Sequence, residues 1–152
     1  TLEGVRRRLE IKGSAKGITV IDDYAHHPTE IKTTLQSVRT SWPDRRIVGV
    51  FQPHRYTRTQ ALFDEFTRAF YQTDQLVLLP IYSAGETEIE AISHALLCES
   101  IQAHGHKAVT CTDSFKEALA LLKGDLRDGD LVITMGAGDI WKLGETLLKQ
   151  LT

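Results

Sequence analysis

Cysteine is scarce in this sequence of 152 residues, and its scarcity excludes two classes of protein. The two cysteines, Cys98 and Cys111, form neither a CxxC pair nor any other spacing typical of metal ligands. Neither a disulfide scaffold nor a metal site is therefore predicted. A chain this poor in thiols is typical of a reducing compartment, and we expect the cytosol.

Long apolar runs and targeting signals are also missing. No stretch approaches the roughly 20 apolar residues that a membrane-spanning helix needs, so no membrane partner is predicted. The first residues, from Thr1 to Gly4, contain neither an initiator methionine nor the apolar core of a signal peptide. We therefore expect the chain to be a piece of a longer protein.

Neither sign of charge dominates the chain, which has 18 Lys and Arg against 20 Asp and Glu, and 41% of its residues are hydrophobic. This balance argues against a nucleic-acid-binding protein, whose footprint is basic, and against a disordered chain. The charges are unevenly divided, because residues 1–60 carry 11 basic and 6 acidic side chains whereas residues 61–152 carry 7 and 14. The basic first part favours an anionic ligand.

Short apolar runs alternate along the chain with stretches of helical periodicity. Strands are predicted at 5–12, 18–22, 47–51, 75–81, 108–112 and 131–135, and helices at 28–42, 59–71, 91–103, 113–123 and 139–151. The turn at 13–17 makes the first two strands an antiparallel pair. The pattern predicts one α/β domain over residues 1–152, Rossmann-like in its three layers, with a mostly parallel sheet, helices on both faces and one antiparallel strand at the N-terminal edge.

Ligands of such sheets bind at the carboxyl ends of the strands, and the first such loop is dense in polar groups. Residues 22–28 contain two carboxylates, a phenol and two imidazoles. Asp23 is suited to accept hydrogen bonds from a ribose, Tyr24 offers a flat face and a hydroxyl, and His26 and His27 donate to anions or titrate near neutral pH. Helix capping by a merely polar loop is the weaker interpretation.

The loop after the strand at 47–51 contains His54, Arg55 and Arg58. If a helix begins near Thr57, both guanidinium groups and the first helical amides converge on one carboxylate or phosphate. A solvated arginine pair is the alternative, but the start of a helix is electrostatically unfavourable for cations. The spacing therefore favours an anion-binding site.

Glycines mark the loop after the last strand. Gly136 and Gly138 suggest close approach of a ligand to the backbone, but a dinucleotide fingerprint needs a third glycine where Trp141 stands. NAD binding is therefore disfavoured, and a tight turn explains the glycines almost as well. Two other patterns are interpreted as non-functional: His104-Gly105-His106 as a helix end, and the acidic loop at 86–90 as a solvated face.

Three segments together resemble the C-terminal domain of the Mur ligases of peptidoglycan synthesis: DDYAHHPTEI at 22–31, FQPHRYTRT at 51–59 and MGAGDIW at 135–141. The resemblance extends from the arginine-rich opening at 6–10 to the final helix and includes LLPIYSAGE at 78–86. The run at 52–58 points to the family member that joins L-alanine to UDP-N-acetylmuramate, more than to the related ligase that recycles murein peptides.

The resemblance implies roles for the residues of these loops. Asp23 would contact the ribose of ATP, and Gly136 and Gly138 would lie by the cofactor and the amino acid. Tyr24, His26 and His27 would line the junction between ATP and the amino acid, and Arg55 and Arg58, with His54 as a weaker candidate, would bind the alanine carboxylate. ATP and Mg²⁺ would be held mainly by a central domain, and UDP-N-acetylmuramate by an N-terminal one.

The sequence has no GxxxxGK[ST] element, so it lacks the phosphate cradle that ATP chemistry requires. We therefore expect the isolated domain to fold, to contain no catalytic residue of its own and to be inactive. A stand-alone module that binds a nucleotide or another anion is the alternative from a different functional class, and a purely structural interaction domain is disfavoured by the polar loops.

Overall fold

A computed structural model describes residues 8–152 of the chain. The strands within this range are β1 (Glu10–Ala15), β2 (Ile18–Asp23), β3 (Ile47–Phe51), β4 (Gln75–Leu78), β5 (Val109–Cys111) and β6 (Leu131–Met135). They form one sheet in the order β1-β2-β6-β3-β4-β5. β1 pairs with β2 in antiparallel orientation, and the other neighbours are parallel, which confirms the predicted sheet.

Helices cover both faces of this sheet, as predicted. They are α1 (Pro28–Ser41), α2 (Tyr56–Ala61), α3 (Phe63–Phe66), α4 (His94–Ala103), α5 (Phe115–Asp125) and α6 (Trp141–Leu151). Successive side chains of a strand point to opposite faces, so the buried strand residues divide between two apolar clusters. One cluster includes α1 and α4, and the other includes α5 and α6. No helix of residues 8–152 is long and apolar enough to cross a membrane.

The N-terminal hairpin is tighter than predicted. β1 continues through Ala15, and only Lys16 and Gly17 form the turn, with φ angles of 54° and 76°. Two residues with positive φ make a hairpin turn that matches the twist of the strands, so the predicted five-residue turn was wrong. A bulge between Ile11 and Gly13 absorbs the shift in register. The predicted start of this strand at 5–7 and the arginines at 6 and 7 lie outside the described residues.

The helix predicted at 59–71 is instead the pair α2 and α3. It begins at Tyr56 and breaks at Leu62, whose φ and ψ of −111° and 19° are not helical. Apolar side chains keep their helical spacing on both sides of the break, so the periodicity of the sequence did not indicate the break. β4 and β5 are shorter than predicted, because pairing ends at Leu78 and Cys111.

Helix starts are displaced by a few residues from the predicted ones. α4 begins at His94, where the Ser93 hydroxyl accepts a hydrogen bond from the Leu96 N–H over 3.1 Å. α5 is capped by Ser114 and not by the predicted Asp113. Both residue types can cap a helix, so sequence alone did not separate these neighbours.

The sheet order brings three polar loops together. β2, β6 and β3 are neighbours, and the register aligns their last residues, because Met135 pairs with Asp23 on one side and with Phe51 on the other. The loops that follow these strands therefore start side by side, at the carboxyl edge of the sheet where open α/β folds bind ligands.

Candidate functional site

Asp23 organises the first loop from a buried position. Its Oδ1 accepts hydrogen bonds from the Ala25 N–H at 2.8 Å and the Thr34 hydroxyl at 3.3 Å, and its Oδ2 accepts one from the Leu9 N–H at 2.9 Å. Burial raises the pKa of this carboxyl although the two backbone hydrogen bonds oppose the rise. The neighbouring Asp22 carboxylate accepts from the Thr134 hydroxyl. Both carboxylates are thus part of the framework of the loop.

Glu30 fixes the two histidines at the start of α1. Its Oε1 accepts the backbone N–H groups of His26 and His27 at 3.2 and 3.1 Å. The His26 ring lies 4.7 Å from the His27 ring and edge-on to Tyr24 at 5.2 Å, between ring centres. Burial lowers the pKa of His26, so its imidazole is biased toward the neutral form. The arrangement offers aromatic faces and neutral imidazole nitrogens to a ligand.

A cleft of about 580 Å³ opens beside this loop. Three of the predicted site residues line it, namely Asp23, Tyr24 and His26. The opposite wall comes from the first three turns of α1, with Thr29, Glu30, Thr33, Thr34 and Ser37. The cleft is therefore polar along α1 and aromatic at Tyr24, whose side chain is exposed.

His54 and Arg58 form a direct pair in the second loop. The Arg58 Nη1 donates to His54 Nδ1 at 3.0 Å and to the His54 carbonyl at 3.2 Å. Because a guanidinium only donates, Nδ1 is the acceptor and the proton of the neutral ring is on Nε2. The ring stacks on Tyr82 with centres 5.5 Å apart. Burial and the nearby positive charges, first Arg58 and then His26 and Arg55, lower the pKa of His54.

Arg55 adopts a backbone conformation that is rare for its residue type, with φ at 75°. Its N–H donates to the Tyr82 carbonyl at 2.7 Å, and its own carbonyl accepts from Thr59. A non-glycine residue with positive φ costs about 1–3 kcal/mol. These hydrogen bonds hold the strained residue in place, with the side chain half-exposed at the start of α2.

The Glu86 carboxylate accepts hydrogen bonds from Thr57, the second residue of α2, which corrects the interpretation of Glu86 as a solvated residue. Its carboxylate accepts the Thr57 N–H at 3.1 Å and the Thr57 hydroxyl at 2.5 Å. The Thr57 hydroxyl and N–H lower the pKa of Glu86. The Arg55 Nη1 lies 3.9 Å from the same carboxylate. An anion at this helix start is thus present, but it is the chain's own carboxylate.

The glycines of the third loop are explained by close packing within the chain. A Cβ on Gly136, whose φ is 150°, would lie 2.9 Å from the Gln52 carbonyl oxygen. One on Gly138 would lie 2.8 Å from Gln52 Oε1 and 2.9 Å from the Tyr82 ring. The close approach that these glycines allow is therefore to Gln52 and Tyr82, and contact with a ligand stays a prediction.

The three loops lie against one another. The His26 and His54 rings are 6.1 Å apart and join the first loop to the second, and the Gly136 N–H donates to the Asp23 carbonyl at 3.3 Å, which joins the third to the first. His54 lies near both arginines of the second loop, and the positive charges of Arg58 and Arg55 both lower its pKa. All nine predicted site residues lie in this region of the structure.

Sequence reasoning missed several residues that shape the site. Gln52 is 5% exposed, its Nε2 donates to Asp139 at 2.9 Å, and its Oε1 has no hydrogen-bond partner among the described residues. Glu30, Tyr82 and Glu86 support the histidines and arginines. The position of Gln52 directly after β3 was the one available signal, since the other contacts depend on the fold.

Comparisons with known proteins agree on one family. The sequence model described as "Mur ligase, glutamate ligase domain" matches residues 7–138. A protein of Desulforapulum autotrophicum named UDP-N-acetylmuramate--L-alanine ligase is 62% identical over 148 residues, which are 97% of this chain and 32% of the relative. The chain therefore spans about a third of the length of the curated relatives it matches.

Solved structures show the same fold. The UDP-N-acetylmuramate-alanine ligase of Thermotoga maritima superposes with a TM-score of 0.77 at 25% identity, over 95% of this chain and 29% of the other. A single domain ascribed to a UDP-N-acetylmuramate:L-alanyl-γ-D-glutamyl-diaminopimelate ligase of Haemophilus ducreyi superposes with a TM-score of 0.72 at 23% identity. The superposition includes 95% of this chain and the whole of that domain.

Proposed function

Because this chain belongs to the Mur ligase family, we propose that it is the amino-acid-binding domain of an ATP-dependent ligase that joins L-alanine to UDP-N-acetylmuramate. The high identity to a relative of that name supports this choice over the related ligase that recycles murein peptides. In the proposed reaction the muramoyl carboxylate is phosphorylated, and the amine of alanine then displaces phosphate from the acyl phosphate to form the amide.

The proposal rests on the position of the two arginines at the carboxyl edge of the sheet. Arg58 donates a hydrogen bond to His54, and the positive charges of Arg58 and Arg55 both lower the pKa of His54. Alanine is a zwitterion, and its carboxylate needs a charged, planar donor that also fixes its direction. The Arg58 guanidinium is held on His54 through Nη1, so its other nitrogens remain to bind the carboxylate. Arg55, half-exposed beside it, adds the second positive charge.

The cleft beside Asp23 and Tyr24 is assigned to the ribose end of ATP. The residues fit this group, because Asp23 Oδ2 accepts one hydrogen bond within the chain and a carboxylate oxygen accepts two. Tyr24 supplies an exposed aromatic face at the same cleft. Mg²⁺ supplies charge neutralisation at the phosphates. We assign its ligands to the central domain that the family resemblance implies.

The chain's contribution is then to bind and orient. His26 lines the cleft of Asp23, and its ring lies 6.1 Å from the ring of His54, which Arg58 contacts. We therefore assign His26, with His27 beside it, to the path from the acyl phosphate to the amine. Burial lowers the pKa of His26 and so favours its neutral form. A neutral His26 adds no positive charge beside the attacking amine. Closing this domain over the others would exclude water from the acyl phosphate. The isolated domain is expected to be inactive.

The test uses the full-length ligase and measures phosphate release with UDP-N-acetylmuramate, ATP and L-alanine. Arg58→Ala should raise the alanine KM roughly tenfold to a hundredfold, because a hydrogen bond to a charged group contributes about 1.5–3 kcal/mol. Arg68→Ala is the matched control, since Arg68 is exposed and pairs with Asp64 outside the site. An unchanged alanine KM would refute the arginine assignment, and a preference for a peptide over alanine would favour the recycling ligase.

A further inference from the structure

A second group of reactive side chains lies at the carboxyl end of β5, the outer strand of the sheet on the side away from β1. His94 is the first residue of α4, and Cys111 is the last residue of β5, followed closely by Asp113. One ligand atom from each lies within 4.8 Å of the other two, and His94 Nε2 is 3.1 Å from Asp113 Oδ1. Among residues 8–152 this is the one such group of three. The arrangement brings together an imidazole, a thiol and a carboxylate.

A second thiol lies beside this group. Cys98 is one helical turn after His94 on α4, its thiol lies close enough to that of Cys111 for the two to interact, and both cysteines are free. Cys98 is 8% exposed, whereas Cys111 is partly exposed and Asp113 is exposed. Solvent, and an ion from solvent, therefore reaches the group from the side of Asp113, with Cys98 behind it.

The charges around Cys111 favour a cation. The Asp113 carboxylate is itself part of the group and lies on the solvent side of the Cys111 thiol. The Glu117 carboxylate is held near by the Asp113 N–H at 3.0 Å. The two carboxylates would attract a dication, and a bound dication would stabilise the Cys111 thiolate.

We propose that His94, Cys111 and Asp113 bind one Zn²⁺ ion, with water in the fourth position. Zn–S distances of about 2.3 Å and Zn–N and Zn–O distances of about 2.0–2.2 Å place the donors of a tetrahedral site roughly 3.3–3.8 Å apart. Rotation of partly exposed side chains by about 1 Å closes the observed group to that size. Mixed nitrogen, sulfur and oxygen donors in tetrahedral geometry are typical of zinc.

The binding step balances simply. The Cys111 S–H bond breaks, a Zn–S bond forms, and the proton goes to the buffer. The imidazole proton moves from Nε2 to Nδ1, so that Nε2 binds the ion, and this shift changes no charge. The Cys98 thiol would remain beside the bound sulfur as a second-layer neighbour of the ion. The ion would tie α4 to the end of β5.

The site is separate from the arginines of the proposed amino-acid site. β5 is the edge strand, with β4 between it and β3, whose following loop contains Arg55 and Arg58. A metal there would stabilise the outer strand of the sheet, and we assign it no step of the ligase chemistry. The sequence did not predict this site, because His94 on α4 comes close to Cys111 and Asp113 at the end of β5 only in the folded chain.

The test is made on the purified 152-residue chain, since the Haemophilus ducreyi domain that it covers completely is itself a solved structure. Calorimetric titration with ZnCl₂ in a non-thiol reductant should show one equivalent and one proton released. CoCl₂ should give the charge-transfer absorption of a thiolate-bound ion. Cys111→Ser should abolish that band, and His94→Ala and Asp113→Asn should each weaken binding at least tenfold.

Two variants serve as controls. Cys98→Ser should keep the cobalt band with affinity within a few-fold, and His104→Ala, on an exposed imidazole at the end of α4, should change nothing. Because a cysteine variant can misfold, alkylation of the unaltered chain gives a second readout, in which Zn²⁺ should protect Cys111. The proposal is overturned if no zinc binds, if a Cys98–Cys111 disulfide forms and no zinc binds after its reduction, or if the cobalt band survives Cys111→Ser.

Discussion

Asp74 offers the most direct test of the energetics of this fold. Its carboxylate accepts hydrogen bonds from the Ile47 N–H at 2.8 Å, from Arg39 at 2.9 Å and from Lys107 at 3.0 Å. It thereby joins the end of α1, the start of β3 and the segment before β5. Burial would raise the pKa of Asp74, but these donors outweigh it and lower the pKa from 3.8 to about 2.

The lowered pKa fixes the sign of the pH dependence. The ionised form is favoured in the folded state, so the stabilisation is fully present above the unfolded pKa near 3.8 and is lost as pH falls toward 2. A shift of this size corresponds to at most about 2.4 kcal/mol at 1.36 kcal/mol per pKa unit. The side chain is 27% exposed, and solvent screening reduces the expected contribution to about 1–2 kcal/mol.

The assay is urea unfolding of the chain between pH 7 and pH 2.5. Asp74→Asn should lower the free energy of unfolding at pH 7 by about 1–2 kcal/mol or more, because the amide also presents donors to Arg39 and Lys107. It should also flatten the fall of stability below pH 4. Asp64→Asn is the control, since Asp64 is exposed in a pair with Arg68. Identical acid slopes for the unaltered chain and Asp74→Asn would refute the reasoning.

Three further predictions follow from particular contacts. Leu35→Ala, at a fully buried residue of the α1 face, should cost about 2–5 kcal/mol in urea unfolding, and a loss below 1 kcal/mol would contradict the assigned packing. Gly138→Ala should lower the free energy of unfolding by about 1–3 kcal/mol, because the added Cβ would collide with Gln52 and Tyr82. Gly124→Ala is the control and should not lower it, because Gly124 is helical and a Cβ there meets nothing within 4 Å. Equal losses in the two variants would contradict the close packing at Gly138. Glu86→Gln in the full-length ligase should lower the alanine KM by up to about fivefold, because it removes a carboxylate that competes for Arg55, and a rise would contradict that competition.

The fold was largely predictable because its strands are short apolar runs. The predicted bounds of β3 and β6 match the structure, since both strands are buried on both faces and read as short, mostly apolar runs. Helix bounds were less predictable. The break at Leu62 leaves the apolar periodicity intact, and the choice of Ser114 over Asp113 depends on backbone geometry that the sequence does not encode locally.

The site was predictable only where its residues follow one another in the chain. Arg55, Arg58 and the two histidines of the first loop stand in short polar segments at strand ends, which identified them. Glu86 contacts Thr57 across 29 positions, and Cys98 meets Cys111 only through the packing of α4 on β5. Contacts of this kind require the sheet order, and neither spacing nor composition contains it.

The central claim is that the two arginines after β3 bind the carboxylate of the incoming amino acid. A crystal structure of the full-length ligase with its UDP-N-acetylmuramoyl-L-alanine product tests it most directly. We expect alanine carboxylate oxygens within about 2.7–2.9 Å of guanidinium nitrogens of Arg58 and Arg55, the distance of a charge-assisted hydrogen bond. A carboxylate bound elsewhere, with Arg58 contacting only His54 and Arg55 still beside Glu86, would contradict it.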